Sequence, residues 1–150
     1  MDNIELDKLP DESKYYIPTI EEFHVGFNYE IWEKKLVYDK VWKFRVNKYI
    51  FNEKQVTQTF FNYNFTEDLR EGKIRVKLLD KEDIESLGFS QIDYDTYRFG
   101  IEEIYLEFNP EYKTFIYSKK YDPIKNNNLF VGTIKNKSEL IKLLKQLKIE

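Results

Sequence analysis

The stretch Phe23–Ile31, with the sequence FHVGFNYEI, alternates apolar and polar side chains and predicts the fold around it. Its odd-numbered positions are all apolar, whereas His24, Asn28 and Glu30 are polar and fall on even-numbered positions. Because successive side chains of a strand point to opposite faces, this pattern is typical of a half-buried β-strand. The alternation returns in residues 42–47, so we expect the two segments to pair as antiparallel strands.

Further segments alternate in the same way and are predicted strands, at residues 74–78, 101–108, 112–118 and 129–134. Asn109 and Pro110 predict a hairpin turn between the second and the third of these strands. Residues 48–65 are rich in aromatic side chains but lack a clear period, and we expect them to be extended. A short helical turn is predicted at residues 66–72, where Gly72 stops it.

Local capping signals predict two further helices. Asp80 is a predicted N-cap, and Gly88 ends the short helix that follows, with Phe89 placed to pack back onto its last turn. Near the C-terminus, Asn136 and Glu139 form a capping-box-like pair ahead of a leucine-rich amphipathic helix. Such a short helix is marginal alone in water, so its apolar stripe must dock, either on the sheet or on a partner's surface.

Together these elements predict an α+β fold with a single domain at residues 18–150, preceded by an acidic, flexible arm at residues 1–17. The domain is mainly an antiparallel sheet, with a short helix after the central strand and the C-terminal amphipathic helix packed on the sheet. One curved sheet is expected to bring Phe27, Ile74 and Leu144 into the same core.

The composition of the chain limits where the protein is expected in the cell and which partners it is expected to bind. Its 150 residues include 12 Phe, 12 Tyr and 2 Trp but no Ala and no Cys, a bias typical of AT-rich coding sequence. Without cysteine the chain has no disulfides and no thiolate metal ligands, which favours a reducing, cytoplasmic location. The net charge of −3 and the pI of 5.4 disfavour double-stranded DNA as a partner. No apolar run reaches the ~20 residues of a membrane span, so we expect no membrane association.

Signatures of catalysis are missing from the sequence. His24 is the only histidine, and the motifs of α/β-hydrolases, phosphate-binding loops and zinc proteases do not occur. Glu22 and His24 are spaced to share a metal ion on one face of a strand, but no third ligand is identifiable. We therefore predict that the protein is not an enzyme and that it has no cofactor and no metal.

A surface of cations and aromatic rings is the candidate ligand-binding site. Guanidinium groups suit the binding of phosphate or carboxylate, and aromatic rings hold a nucleobase by stacking. The predicted site residues lie on the polar face of the first strand and on its expected neighbours: His24, Asn28, Glu30, Trp42, Lys43, Arg45, Arg75, Lys77 and Tyr105. In the alternative interpretation, Arg75 and Lys77 pair with Glu103 and Glu107 across the sheet and only stabilise it.

Three segments of the chain resemble a known group of proteins. They are residues 20–30 (IEEFHVGFNYE), residues 74–89 (IRVK followed by LDKEDIESLGF) and residues 129–140 (LFVGTIKNKSEL). Together they resemble a group of short, uncharacterised proteins of tailed bacteriophages that infect gut bacteria. The chain departs from the group at Leu78, where its members favour an aromatic residue. The resemblance implies a phage accessory protein that acts in the host cell cytoplasm.

Two functions from different classes remain open at this point. The first is a non-catalytic phage binding protein that counters host defence by sequestering a nucleotide-derived immune signal among aromatic and basic side chains. The alternative is a structural or protein-protein interaction module, which either assembles with copies of itself or inhibits a host protein. The expected partner is accordingly a small nucleotide-like ligand or a protein, including a second copy of the chain.

Overall fold

The computed structural model describes residues 3–6, 10–37, 41–54, 63–100, 103–111, 113–119 and 127–149. The chain divides into two compact units, Met1–Leu78 and Leu79–Glu150. Each unit contains a five-stranded antiparallel sheet and its own apolar core. The predicted α+β class with antiparallel pairing is confirmed. The expectation of one curved sheet is wrong, because Phe27 and Ile74 belong to the core of the first unit and Leu144 to that of the second.

The first unit contains five strands, one described α-helix and two short 3-10 helices. The strands are β1 (Asn3–Leu6), β2 (Tyr15–Tyr16), β3 (Asn28–Val37), β4 (Val41–Ile50) and β5 (Ile74–Lys77). They lie in the order β1-β4-β3-β5-β2. The helices are Glu12–Lys14, Ile20–Glu22 and the α-helix α1 (Tyr63–Arg70).

Two described parts of the predicted acidic arm at residues 1–17 pair with strands of the first sheet. Strand β1 pairs with the outer edge of β4, and β2 pairs with β5. The amide of Leu78 also donates to the carbonyl oxygen of Lys14 at 2.8 Å. The polar composition of the segment suggested a solvated arm, but the open edges of β4 and β5 provide partners for its backbone groups.

The strand predicted from Phe23 begins five residues later, at Asn28. A turn precedes it, in which the amide of Phe27 donates to the carbonyl oxygen of His24 at 2.9 Å and Gly26 adopts a φ of +89°. Phe23 still reaches the core from this turn, since its ring centroid lies 4.9 Å from that of Phe27. The predicted antiparallel pairing with residues 42–47 is confirmed, because β3 and β4 pair along their whole length.

Residues 48–65 were the least regular part of the sequence, and their prediction as extended is only partly right. Strand β4 continues to Ile50, residues 55–62 lie outside the described part, and α1 begins at Tyr63. Phe65 and Leu69 are four residues apart, so both reach the core from one side of the helix. The predicted stop is confirmed at Gly72, where φ is +67°.

The second unit contains five further strands and two α-helices. The strands are β6 (Phe89–Gln91), β7 (Thr96–Phe99), β8 (Ile104–Glu107), β9 (Thr114–Ser118) and β10 (Asn127–Gly132). Their order is β10-β9-β8-β7-β6, so consecutive strands are neighbours throughout. The hairpin predicted across Asn109 and Pro110 is confirmed as the β8–β9 pair, whereas the β6–β7 hairpin was not predicted.

Both predicted helix caps of this unit are confirmed. The side chain of Asp80 accepts from the amide of Asp83 at 2.9 Å at the start of α2 (Lys81–Glu85). The side chain of Asn136 accepts from the amide of Glu139 at 3.0 Å at the start of α3 (Lys137–Leu147). Helix α3 packs on the sheet of its own unit, as predicted for the C-terminal helix, and buries Leu140 and Leu144 there.

Candidate functional site

The predicted site residues do not form a single site. Tyr105 lies on β8, in the sheet of the second unit. His24 lies in the turn before β3, with its Nδ1 atom 3.0 Å from the carbonyl oxygen of Glu22. Trp42 and Lys43 lie on β4, and their side chains fall outside the described part of the structure. The remaining predicted residues are divided between the two faces of the first sheet.

Four predicted residues share one face of the first sheet: Asn28, Glu30, Arg75 and Lys77. Arg75 is directly opposite Glu30 in the register of β3 and β5. The indole nitrogen of Trp32 donates to Glu30 at 3.0 Å, and the guanidinium of Arg75 lies 5.6 Å from the centre of the Trp32 ring. The contact observed for Arg75 is thus the cation–π contact with Trp32, and Glu30 is its neighbour in the register. This arrangement is typical of side chains that stabilise a sheet.

The alternative pairing of Arg75 and Lys77 with Glu103 and Glu107 is wrong. Glu107 lies on β8 and Glu103 just before it, in the second sheet, whereas Arg75 and Lys77 lie on β5 in the first. In the observed register Lys77 is opposite Tyr15 of β2. Alternation identified the strands correctly but assigned them to one sheet, which placed these charges on neighbouring strands.

Arg45 lies on the opposite face of the first sheet from Arg75. Directly opposite pairs of β3 and β4 share a face, and three such pairs on this face are Tyr29–Tyr49, Ile31–Asn47 and Glu33–Arg45. This is the face on which the core residues Tyr29 and Ile74 are buried. The predicted anion pocket of Lys43, Arg45, Arg75 and Lys77 is thus not formed, because the sheet separates the two arginines.

Two buried polar atoms next to this core have no hydrogen-bond partner within the described part of the chain. They are Nε of Arg45 and Oδ1 of Asn47. Asn47 is only 9% exposed, and Arg45 is partly buried. The two residues are separated by one position on β4, so their side chains lie on the same face, with Cα atoms roughly 7 Å apart. We call this pair of residues the Arg45–Asn47 site.

The Arg45–Asn47 site combines a cationic donor with a neutral acceptor. A buried polar group without a partner costs about 1 to 3 kcal/mol, and buried polar groups in proteins are nearly always satisfied by protein, water or ligand. The N–H of Arg45 suits an oxygen of a carboxylate or phosphate. The carbonyl oxygen of Asn47 requires an N–H or O–H group. One small molecule that carries both an anionic oxygen and a nearby donor satisfies the two atoms together.

Sequence reasoning missed Asn47 because the register of β3 and β4 was not specified by alternation. In the two segments that alternate, the apolar residues are odd-numbered up to Ile31 and even-numbered from Trp42 to Val46, yet odd-numbered residues pair with odd-numbered residues. Val46 and Asn47 are consequently both buried, on opposite faces of β4. A strand that is covered on both of its faces buries its polar residues together with its apolar ones. That both faces of β4 are covered could have been the signal for Asn47.

Tyr105 belongs to an aromatic cluster on the second sheet. It stacks on Tyr117, with ring centroids 5.4 Å apart and an interplanar angle of 11°. The ammonium group of Lys119 lies 4.7 Å from the centre of the Tyr105 ring and 5.8 Å from that of Tyr117. The hydroxyl of Tyr117 is hydrogen-bonded to Glu107. Both rings are thus engaged by neighbouring side chains of the same sheet, which assigns the cluster a stabilising role.

We expect Tyr117 to resist deprotonation well into the alkaline range. Burial, followed by the hydrogen bond and the negative charge of Glu107, raises the pKa of Tyr117 to about 12. Because an unfolded tyrosine has a pKa of about 10, this group stabilises the folded state fully below about pH 10, and the contribution is lost as the pH rises towards 12. NMR titration of ¹³Cζ-labelled tyrosine measures the pKa directly. Glu107→Gln removes the charge and should lower the pKa of Tyr117; a wild-type pKa near 10 contradicts the assignment.

Within the described residues, no group of three or more histidine or carboxylate side chains is arranged to hold a metal ion. None of the described helices is both long and apolar enough to cross a membrane.

No protein-family model, no curated protein and no solved structure matches this chain. The fold and its sites define a two-unit α+β protein with a buried donor–acceptor pair on the first sheet.

Proposed function

We propose that this chain is a non-catalytic binding protein that holds a small anionic ligand at the Arg45–Asn47 site. The observation that carries the proposal is the pair of buried, unpartnered atoms, one a cationic donor and one an acceptor, on the same face of β4. An anionic oxygen of the ligand accepts from Nε of Arg45, and a hydroxyl or N–H of the same molecule donates to Oδ1 of Asn47. Nucleotides carry both kinds of group.

The surroundings of the site favour a ligand of low charge. Glu33 of β3 and Glu5 of β1 are both directly opposite Arg45 in the register, so acidic residues flank the cationic member of the pair on both neighbouring strands. A phosphate monoester with two negative charges meets more repulsion there than a phosphodiester with one. We therefore propose a cyclic nucleotide, whose phosphodiester carries one charge and whose base or ribose offers a donor.

An aromatic pair supports the choice of a nucleotide. Tyr49 stacks on Tyr29 with ring centroids 5.4 Å apart, and Tyr49 is two residues along β4 from Asn47 on the same face. Tyr49 is only partly buried, so it offers ring surface beside the polar pair. Stacking of a base on an aromatic side chain contributes about 1 to 3 kcal/mol. With the resemblance to phage proteins, this supports the proposal that the protein sequesters a nucleotide-derived signal of host immunity.

A thermal-shift panel tests the proposal, with cyclic mono- and dinucleotides, nucleoside monophosphates and inorganic phosphate as probes. At least one cyclic nucleotide should raise Tm, because a ligand that binds only the folded state stabilises it by linkage. Arg45→Ala should weaken the binding of that nucleotide by roughly tenfold to a hundredfold, the range for a lost hydrogen bond to a charged group. Isothermal titration calorimetry measures the affinity of each variant.

Arg75→Gln is the matched control, since Arg75 lies on the other face of the sheet, where its guanidinium contacts the Trp32 ring. It should leave the affinity unchanged. Mass spectrometry of the bound nucleotide after incubation should recover it intact, as expected of a protein that sequesters without turnover. The proposal fails if no nucleotide changes Tm, which is the result expected if a buried water satisfies both atoms. It also fails if Arg45→Ala binds the nucleotide as tightly as the wild type does.

A further inference from the structure

The turn between β6 and β7 exposes two large side chains to solvent. Tyr94 is 89% exposed and Ile92 is 56% exposed. We call the segment from Ile92 to Asp95 the hairpin tip. An aromatic side chain held almost entirely in water gains nothing from the hydrophobic effect in the monomer, whereas tyrosine is among the residues that contribute most to the centres of protein interfaces.

Hydrogen bonds fix the backbone of the hairpin tip. The amides of Ile92 and Asp93 donate to the carbonyl oxygen of Thr96 at 2.9 and 3.2 Å. The amide of Tyr94 donates to the side chain of Asp93 at 2.7 Å, and the side-chain amide of Gln91 donates to the carbonyl oxygen of Tyr94 at 2.9 Å. Because the backbone of the tip is already ordered, the tip itself loses little conformational entropy when a partner binds it, which favours affinity.

The charge of the hairpin tip indicates the chemistry of its partner. Asp93 and Asp95 lie on either side of Tyr94, and the segment contains no basic residue. Such a surface repels nucleic acids and anionic membranes, and it is complementary to a basic surface. We propose that the hairpin tip docks on another protein, inserting Tyr94 into an apolar pocket bordered by lysine or arginine. This interaction is independent of the ligand proposed for the Arg45–Asn47 site.

Selection from a displayed library of random peptides tests this proposal, because the library samples the chemistry of the partner's surface whatever the partner is. The wild-type chain is the bait, and peptides that also bind Tyr94→Ser are removed by counter-selection. The surviving peptides should combine aromatic or aliphatic residues with lysine or arginine. Their affinity, measured with synthetic peptides, should fall at least about tenfold on Tyr94→Ser, as for a tyrosine at the centre of an interface. The double variant Asp93→Asn, Asp95→Asn should also bind more weakly and with less dependence on salt.

Ile50→Ser is the matched control, because Ile50 is 63% exposed on the first unit and lies outside the hairpin tip. It should leave the affinity of the selected peptides unchanged, and Tyr94→Ser should leave Tm unchanged. Arg45→Ala should bind the peptides normally even if it loses a nucleotide. The proposal is overturned if no peptide depends on Tyr94, if Ile50→Ser weakens the peptides equally, or if the survivors lack basic residues.

Discussion

Replacing Leu140 by alanine is expected to lower the free energy of unfolding by about 3 to 5 kcal/mol, the upper range for a leucine truncated in a core. Leu140 lies in the first turn of α3 and is fully buried in the core of the second unit. That core also contains Leu106 and Ile116, which are fully buried on the adjacent strands β8 and β9. The cavity left by the substitution is therefore lined by strands that are held in place by the sheet and collapse little.

The length of α3 increases the effect. The helix has 11 residues, and isolated helices of this length are only marginally stable in water. The stability of α3 thus depends on its packing against the core of the second unit, and Leu140 is one of the residues that pack there. The cap at Asn136 fixes where the helix begins but does not replace the lost apolar contact, since a cap contributes only about 0.5 to 2 kcal/mol.

Urea unfolding followed by circular dichroism measures the loss. Lys142→Ala is the matched control, because Lys142 is exposed on the same helix and alanine has a higher helix propensity. The control should stay within about 0.5 kcal/mol of the wild type. A loss below about 1 kcal/mol for Leu140→Ala would show that α3 does not dock on the sheet of its unit.

The sequence predicted well those elements whose structure depends only on residues close to one another in the chain. Both caps, at Asp80 and Asn136, require only a side chain that accepts from an amide three residues later, and both form. The stop at Gly72 needs only a residue that adopts a positive φ. The β8–β9 hairpin is similarly local, since its two strands are separated by one short turn.

The features that sequence did not predict depend on pairing between distant segments. Alternation gives the same strand pattern whether β5 joins β3 or a strand of the second unit, so the division into two sheets was not visible. The Arg45–Asn47 site depends on register, because shifting the register by one residue exchanges the two faces of a strand. The β6–β7 hairpin was not predicted, since β6 has only three residues, too few to show a period.

The clearest contrast between the alternating pattern and the observed fold lies at Val25 and Phe27. Strict alternation from Phe23 places both side chains on the buried face of one strand. In the structure Phe27 is fully buried, whereas Val25 lies in the turn before β3 and is 55% exposed. Gly26 between them has a positive φ, which breaks the alternation of side chains along the strand.

Phe27→Ala is expected to lower the free energy of unfolding by about 3 to 5 kcal/mol. The ring of Phe27 packs against that of Phe23, in the core that also contains Tyr29 and Ile74. The amide of Phe27 donates a hydrogen bond to the carbonyl oxygen of His24, and its carbonyl oxygen accepts one from the amide of Phe51. Because these bonds fix the backbone, the core cannot easily collapse into the cavity that the substitution leaves.

Val25→Ala is the comparison that decides between the two starts of the strand. It should change the free energy of unfolding by less than about 0.5 kcal/mol, because the side chain of Val25 is already largely in water. Urea unfolding of the two variants under the same conditions measures both losses. If the strand instead began at Phe23, Val25 would be a core residue, and its truncation would cost on the order of 1 to 2 kcal/mol. A loss of that size at Val25 would contradict the turn, whereas a large loss at Phe27 alone places the start of β3 after Gly26.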